Sequence, residues 1–509
     1  MTPRSTDRLR QDAKALRKGH ASGDAAAQAR VAARLGVRAV LNHADALHVI
    51  ALEQGFGSWP RLKLTREIAA MDHAARAERL KIALYFGHHW VTDALLSADP
   101  DLGRANFGLA CAMYDTEEVA RVLASDPEAA TRAVGVRTPL LHLCFSRWFE
   151  KAGPEAALDV AEQLHAAGAD VNESYPFQPG SLHELSALYG ALGHAGNLAL
   201  AEWLLQHGAD PNDNESLYHS TELENAEGLR LLLAHGARPE GTNALPRALD
   251  FDNLEMVTLL LEAGADPNEG ISEHPSGEAP AVIPSLHQAA RRMCSADVAQ
   301  ALIDHGADST ELYHGHTAYA IARMRGNRAV AGVLEAAGQA TDLSETEARL
   351  AGAADGRVEG QGRLDPEALS HEQRLLIHRL LGFDGSLPHV QRLVSLGLDP
   401  AWTDEQGMPA IHIAGWEGQA DAVAWLLAFE PDLDHINTYG GDLIGTVIHG
   451  AEFCPARARR DHLRCARLVL DAGARLRRRE IEETGVIALA EMLAEWAEAH
   501  PDRIVERAG

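Results

Sequence analysis

Residues 201–212 read AEWLLQHGADPN, and residues 257–268 read VTLLLEAGADPN. In the first, Ala201, Leu204 and Leu205 lie at helical spacing and form one apolar stripe. Gly208 then ends the helix, because a residue without Cβ enters the left-handed backbone region at little cost. Asp210, Pro211 and Asn212 all favour turns. The phrase is therefore read as helix, stop and exposed finger.

The same phrase recurs along the chain. It appears as AEQLHAAGADVN at Gly168, LRLLLAHGARPE at Gly236, AQALIDHGADST at Gly306 and QRLVSLGLDPAW at Gly397. Weaker copies end at Gly338 and Gly473, and in three others Pro100, Pro127 and Pro431 stand for the Gly. Gly208, Gly236 and Gly264 are 28 residues apart, whereas 42 separate Gly264 from Gly306. Short copies imply clipped loops, and long copies imply insertions. A second phrase opens each unit: TPLLHLC (138–144), PSLHQAA (284–290), HTAYAIARMRGN (316–327) and PAIHIAGWEGQ (409–419). Gly326 and Gly418 close these first helices.

Together the two phrases resemble the ankyrin-repeat family, whose opening signature is T-P-L-H-x-A and whose period is about 33 residues. The resemblance spans residues 76–485, is best at 397–431, and extends to TYGGDLIGTVIHG at 438–450, which is similar to late repeats of a bacterial subgroup. It implies an all-α solenoid of stacked helix pairs joined by finger hairpins. It also implies that His142, His287 and His412 are structural, bonding backbone between adjacent repeats. Residues 1–75 resemble an N-terminal helical module of bacterial ankyrin proteins, marked by GFGSWP (55–60). Phe56 and Trp59 are expected to pack onto neighbouring helices there, so that the module caps the stack.

The expected organisation is a capping module (1–75), a first array (76–340), a degenerate repeat or linker (341–372), a second array (373–485) and a capping helix (486–509). Within 341–372, Ser344 and Glu347 have capping-box spacing, which predicts a helix over 343–354. The stretch 269–283, rich in Gly, Pro and acids, is read as a loop.

Composition narrows the function. A net charge of −27 disfavours sheathing nucleic acid, which needs many phosphate-neutralising cations. No apolar run reaches membrane length, and the charged N-terminus lacks a secretory core. Five cysteines, an odd number without a CxxC pair, fit a reducing cytoplasm, with Cys111 and Cys144 in packing positions and Cys454 expected at the surface. No metalloprotease, phosphate-loop, nucleophile-elbow or dinucleotide motif is present. We therefore expect neither enzyme activity nor a cofactor, metal or small-molecule substrate, and a monomer that binds a protein through its fingers and inner helices.

One pattern suggests where. Four of the eight tyrosines follow the finger phrase, giving the set Tyr175, Phe177, Tyr218, His219, Tyr313, His314, Trp402 and Tyr439, with Asp213, Asp308 and Asp404 alongside. The set is read either as an aromatic–acidic ridge that grips a partner or as bracing between fingers. Two competing readings are an enzyme in the solenoid groove and an anionic-ligand or nucleic-acid binder. The latter would use Arg4, Arg8, Arg10, Lys14, Arg17 and Lys18, or Arg457, Arg459, Arg460, Arg464, Arg475, Arg477, Arg478 and Arg479.

Overall fold

The structure, a computed structural model, describes residues 5–39, 41, 43–269, 283–358, 362–484 and 486–505. Most of the 269–283 segment lies outside these. The chain folds as predicted into helix pairs stacked one on the next. Inner helices include Pro139–Cys144, Ser285–Arg291, Ala318–Arg325, Ala410–Trp416 and Leu443–Phe453. Outer helices include Leu198–Gln206, Glu227–Ala234, Leu254–Glu262, Ala296–Asp304, Arg328–Ala336 and Ala420–Leu427.

Local signals set the helix ends. Asn197, Asn253 and Asn327 cap outer helices by accepting the N–H of Leu200, Met256 and Val330. The Ser344–Glu347 capping box forms and starts helix Glu345–Ala354. That helix packs on Ala318–Arg325 and on Leu387–Leu396. Gly208 and Gly264 take φ of 95° and 93°, as their place in the phrase requires.

The three proline copies behave differently from their expected role as Gly substitutes. Asp99 and Asp126, before Pro100 and Pro127, are extended at φ −149° and −147°. Before Pro431 it is Glu430 that enters the left-handed region, at φ 51°. The reason is that proline holds φ near −65° and disfavours helical backbone in the residue before it.

Packing follows from the stripes. One contiguous apolar core runs from Ala110 to Trp496, with Leu204, Leu229, Leu260, Leu302, Leu334, Leu393 and Leu426 at successive levels. Each buried leucine stabilises by about 2 kcal/mol, and because each level rests on its neighbours, stability propagates along the stack. Small residues bring inner helices close. A Cβ on Gly450 would lie 2.3 Å from the Trp416 carbonyl oxygen, so only glycine permits this approach.

At the N-terminus, helices Thr6–Ala21, Ala25–Leu35, His43–Glu53 and Trp59–Ala70 enclose a separate core of Leu9, Leu16, Val31, Val49 and Leu62. Phe56 and Trp59 pack against it as expected. Leu64 and Ile68 then join the first helix pairs. At the other end, Leu489, Leu493 and Trp496 of helix Ile487–Ala499 complete the main core. That helix also meets His43–Glu53, and Arg17 lies 3.5 Å from Glu495, so the two terminal modules touch each other. The few strands are short pairings: Ser174–Pro176 with Glu184–Ser186 inside one finger, and Leu476–Arg477 with Ile504–Val505.

Candidate partner-binding surface

Each finger is built by its own aspartate. Asp170, Asp210, Asp266 and Asp308 accept the backbone N–H two residues on, at 2.8–2.9 Å. The next asparagine clamps the neighbouring finger. Asn172 donates to the Gly208 carbonyl (3.1 Å) and accepts from the Asp210 N–H (2.8 Å). Asn212 accepts from the Arg238 N–H (2.9 Å), and Asn268 bonds the Gly306 carbonyl and the Asp308 N–H (2.9 and 2.7 Å). These bonds make one continuous edge.

In the second array Ala401 stands where Asn172, Asn212 and Asn268 stand in theirs. A cleft of ≈ 260 Å³ opens there, lined by Pro400, Ile411, Leu426, Phe429, Pro431 and His435. The missing asparagine in GLDPA is the sequence signal for it.

Histidines tie fingers to helices. His142 Nε2 bonds the Val134 carbonyl of its own finger (2.9 Å), and His287 Nε2 reaches the His316 carbonyl of the next (3.0 Å). His412 departs from the expected backbone bond. Its Nδ1 meets the Thr446 hydroxyl (3.3 Å), while His435 bonds the Gly407 carbonyl of that finger instead (2.6 Å). Burial pushes His142, His287 and His412 down to about 4, so all three are neutral at pH 7.

The finger aromatics divide by depth. Phe177 and Tyr439 are 58% and 75% exposed, Trp402 is 36% exposed, and His314 is also at the surface. The Arg374 guanidinium stacks 4.4 Å from the centre of the Trp402 ring. Asp308 stays exposed, whereas Asp404 accepts the Gln406 and Met408 N–H groups to shape its own turn.

Tyr175 and Asp213 are not on a surface ridge. Tyr175 is 7% exposed and packs edge-on to Phe145. Its hydroxyl accepts from Arg137, whose guanidinium lies 4.5–4.8 Å from the Tyr175, Phe145 and Tyr85 rings. The cause is the Ser174–Pro176 strand, which turns alternate residues inward. Asp213 accepts hydrogen bonds from the Ser186 and Ser216 hydroxyls and is pushed up by burial.

Tyr218, His219 and Tyr313 are half-buried. Arg247 lies over Tyr218 at 5.6 Å and Arg291 over Tyr313 at 5.3 Å. His219 sits between Glu215 (3.0 Å) and Glu222 (2.8 Å); burial opposes its charge, but the two carboxylates outweigh it and raise its pKa to about 9. The aliphatic side chains Val136, Leu182, Leu312 and Ile436, which no aromatic pattern marks, are also exposed.

Residues 180–270 match the family description for ankyrin repeats, in three copies. This chain carries ankyrin repeats. A solved structure of the human ASB11 ankyrin repeat domain is similar at 19% identity, covering 50% of this chain and 96% of that one with a TM-score of 0.24. No curated protein matches the chain by sequence. Ankyrin repeats generally mediate protein–protein interaction.

Half of the late arginine cluster is paired within the stack. Arg459 and Arg460 pair with Asp384 (2.9 and 2.7 Å), Arg464 with Asp421 (2.7 Å) and Arg477 with Asp442 (2.7 Å). Among the described residues no group of three His, Cys, Asp or Glu converges as a metal site. His316 bridges Glu347 (2.6 Å) and Ser370 (2.7 Å), but the Ser370 hydroxyl also accepts the Gln373 N–H as a helix cap. Cys454 is buried, against expectation, because it ends helix Leu443–Phe453 and turns its thiol toward Glu417 (3.7 Å). No described helix is long and apolar enough to cross a membrane.

Proposed function

We propose that this ankyrin-repeat protein is a monomeric cytoplasmic adaptor that grips a protein partner along its finger edge. The supporting observation is a set of exposed apolar side chains on four of the fingers: Phe177, Leu312, Trp402 and Tyr439. Isolated exposed apolars need no explanation, but several carried on the fingers of one edge do. Aromatic anchors on a pre-organised surface bind without a large ordering cost. The cleft at Ala401 adds a recess beside Trp402 in which one partner side chain fits.

The test is affinity capture with the full chain and with a triple variant, Phe177→Ala, Trp402→Ala and Tyr439→Ala. A partner retained by the wild type and lost by the variant, with unchanged melting, supports the proposal. An identical set of captured proteins rejects it.

A further inference from the structure

The ≈ 260 Å³ cleft at Ala401 lies between the fingers 399–408 and 429–436, and its lining has two parts. One is apolar: the buried Ile411 and Leu426, with Pro400, Phe429 and Pro431. Phe429 is exposed, and the Trp425 ring meets it edge-on at 4.9 Å, which holds it in place. The other part is acidic: Asp399 and Asp432, both exposed. The remaining ionisable side chain in the lining, His435, is bonded to the Gly407 carbonyl (2.6 Å).

Each aspartate uses one oxygen for its own turn. Asp399 Oδ1 accepts the Ala401 N–H (2.8 Å), and Asp432 Oδ1 accepts the Asp434 N–H (3.0 Å). Among the described residues no cation pairs with either carboxylate. The two fingers hold six acids, Asp399, Asp404, Glu405, Glu430, Asp432 and Asp434, and no Lys or Arg. Glu405 is offset by His371 (2.5 Å), while the Arg374 guanidinium over Trp402 faces Glu367 (3.7 Å). The cleft therefore keeps a negative surplus, which disfavours an acidic occupant. A side chain with an alkyl stem and a cationic head matches both parts of the lining. The Phe429 face adds attraction for a cation.

We propose that this cleft receives an arginine or lysine side chain from a basic segment of the protein partner. The stem lies along Ile411, Leu426 and the two prolines, and the head reaches Asp399 and Asp432 beside the Phe429 ring. The net charge of −27 draws such a segment toward the chain. Ala401 is what leaves the recess open, since Asn172, Asn212 and Asn268 cross to the next finger in the first array. The inference rests on the protein-recognition reading for its biological use and gives the partner its chemistry.

The test is saturation-transfer NMR of the full chain with the capped tripeptides acetyl-Ser-Arg-Ser-amide and acetyl-Ser-Lys-Ser-amide, with norleucine and glutamate versions as controls. We expect saturable transfer to the side-chain methylenes of at least one basic probe, weakened by added sodium chloride. Asp399→Asn combined with Asp432→Asn keeps both turn-forming oxygens and should weaken that binding about tenfold. Ala401→Asn, which restores the clamp of the first array, should close the cleft and abolish transfer while melting no lower than the wild type. Transfer to the norleucine or glutamate probe as strong as to the basic ones overturns the proposal. So does the absence of saturable transfer, or equal binding by the wild type and both variants. The probes need no partner, so their failure leaves the finger variants to judge the adaptor reading separately.

Discussion

Acidification should unfold this protein well above the usual carboxylate range. His142, His194, His287, His389 and His412 each lie near 4 in the folded chain, because burial penalises their charged form. In the unfolded chain they return to about 6.5. Protons therefore bind the unfolded chain first as pH falls. The contribution of these five histidines is flat above about pH 7 and declines between 6.5 and 4. At pH 5 each histidine costs about 2 kcal/mol, or about 10 kcal/mol for the five, a loss comparable with the whole stability of an ordinary domain. His219 works the other way. Raised to about 9, its contribution is complete below 6.5 and fades as pH rises through 9, so it returns only about 1 kcal/mol between pH 7.5 and 5. Glu173, Asp213 and Glu417, pushed up by burial, also gain relative stability on protonation, which softens the decline at its acid end. Urea unfolding followed by helical circular dichroism at pH 7.5, 6.0 and 5.0 measures the net effect. His287→Gln should make the loss smaller by about 2 kcal/mol, whatever its cost at pH 7.5. A midpoint that holds steady or rises from pH 7.5 to 5.0 would refute the reasoning.

Two glycines with different duties should respond differently to alanine. Gly450→Ala drives a methyl into the Trp416 backbone and should cost about 3 kcal/mol, whereas Gly208→Ala meets no atom within 4 Å and should cost only the φ strain, about 1 kcal/mol, both read from denaturation midpoints. Asn212→Ala and Asn268→Ala should each cost about 1 kcal/mol and speed hydrogen exchange at the Arg238 and Asp308 amides, the donors they would orphan. Among finger aromatics, Tyr175→Ala should lower the melting temperature by removing the ring against Arg137 and Phe145, at about 3 kcal/mol, while Tyr439→Ala leaves melting unchanged. Equal effects of the two would dissolve the division between brace and anchor.

Much of the architecture was legible because its causes are local. The Gly208 and Gly264 stops, the Ser344–Glu347 box and the leucine stripes each depend on a few adjacent residues, and the structure carries them where the spacing puts them. The proline copies were misjudged because the residue before proline, rather than proline, absorbs the backbone change. The candidate surface was half legible. Repeat position found Phe177, Trp402 and Tyr439, yet it also selected Tyr175, whose partner Arg137 is 38 residues away and carries no mark of the pairing.

Taken alone, the order of residues determined the helices, their stops and the period that stacks them, since backbone preference and apolar spacing act within one or two turns. Depth was decided only by the folded stack. It buried Cys454 and Tyr175 and paired Arg459, Arg460, Arg464 and Arg477 with aspartates from other helices and loops. It also brought the Arg17 helix against Glu495. Such long-range neighbours depend on how many repeats intervene and how each rotates on the last, which no single segment encodes.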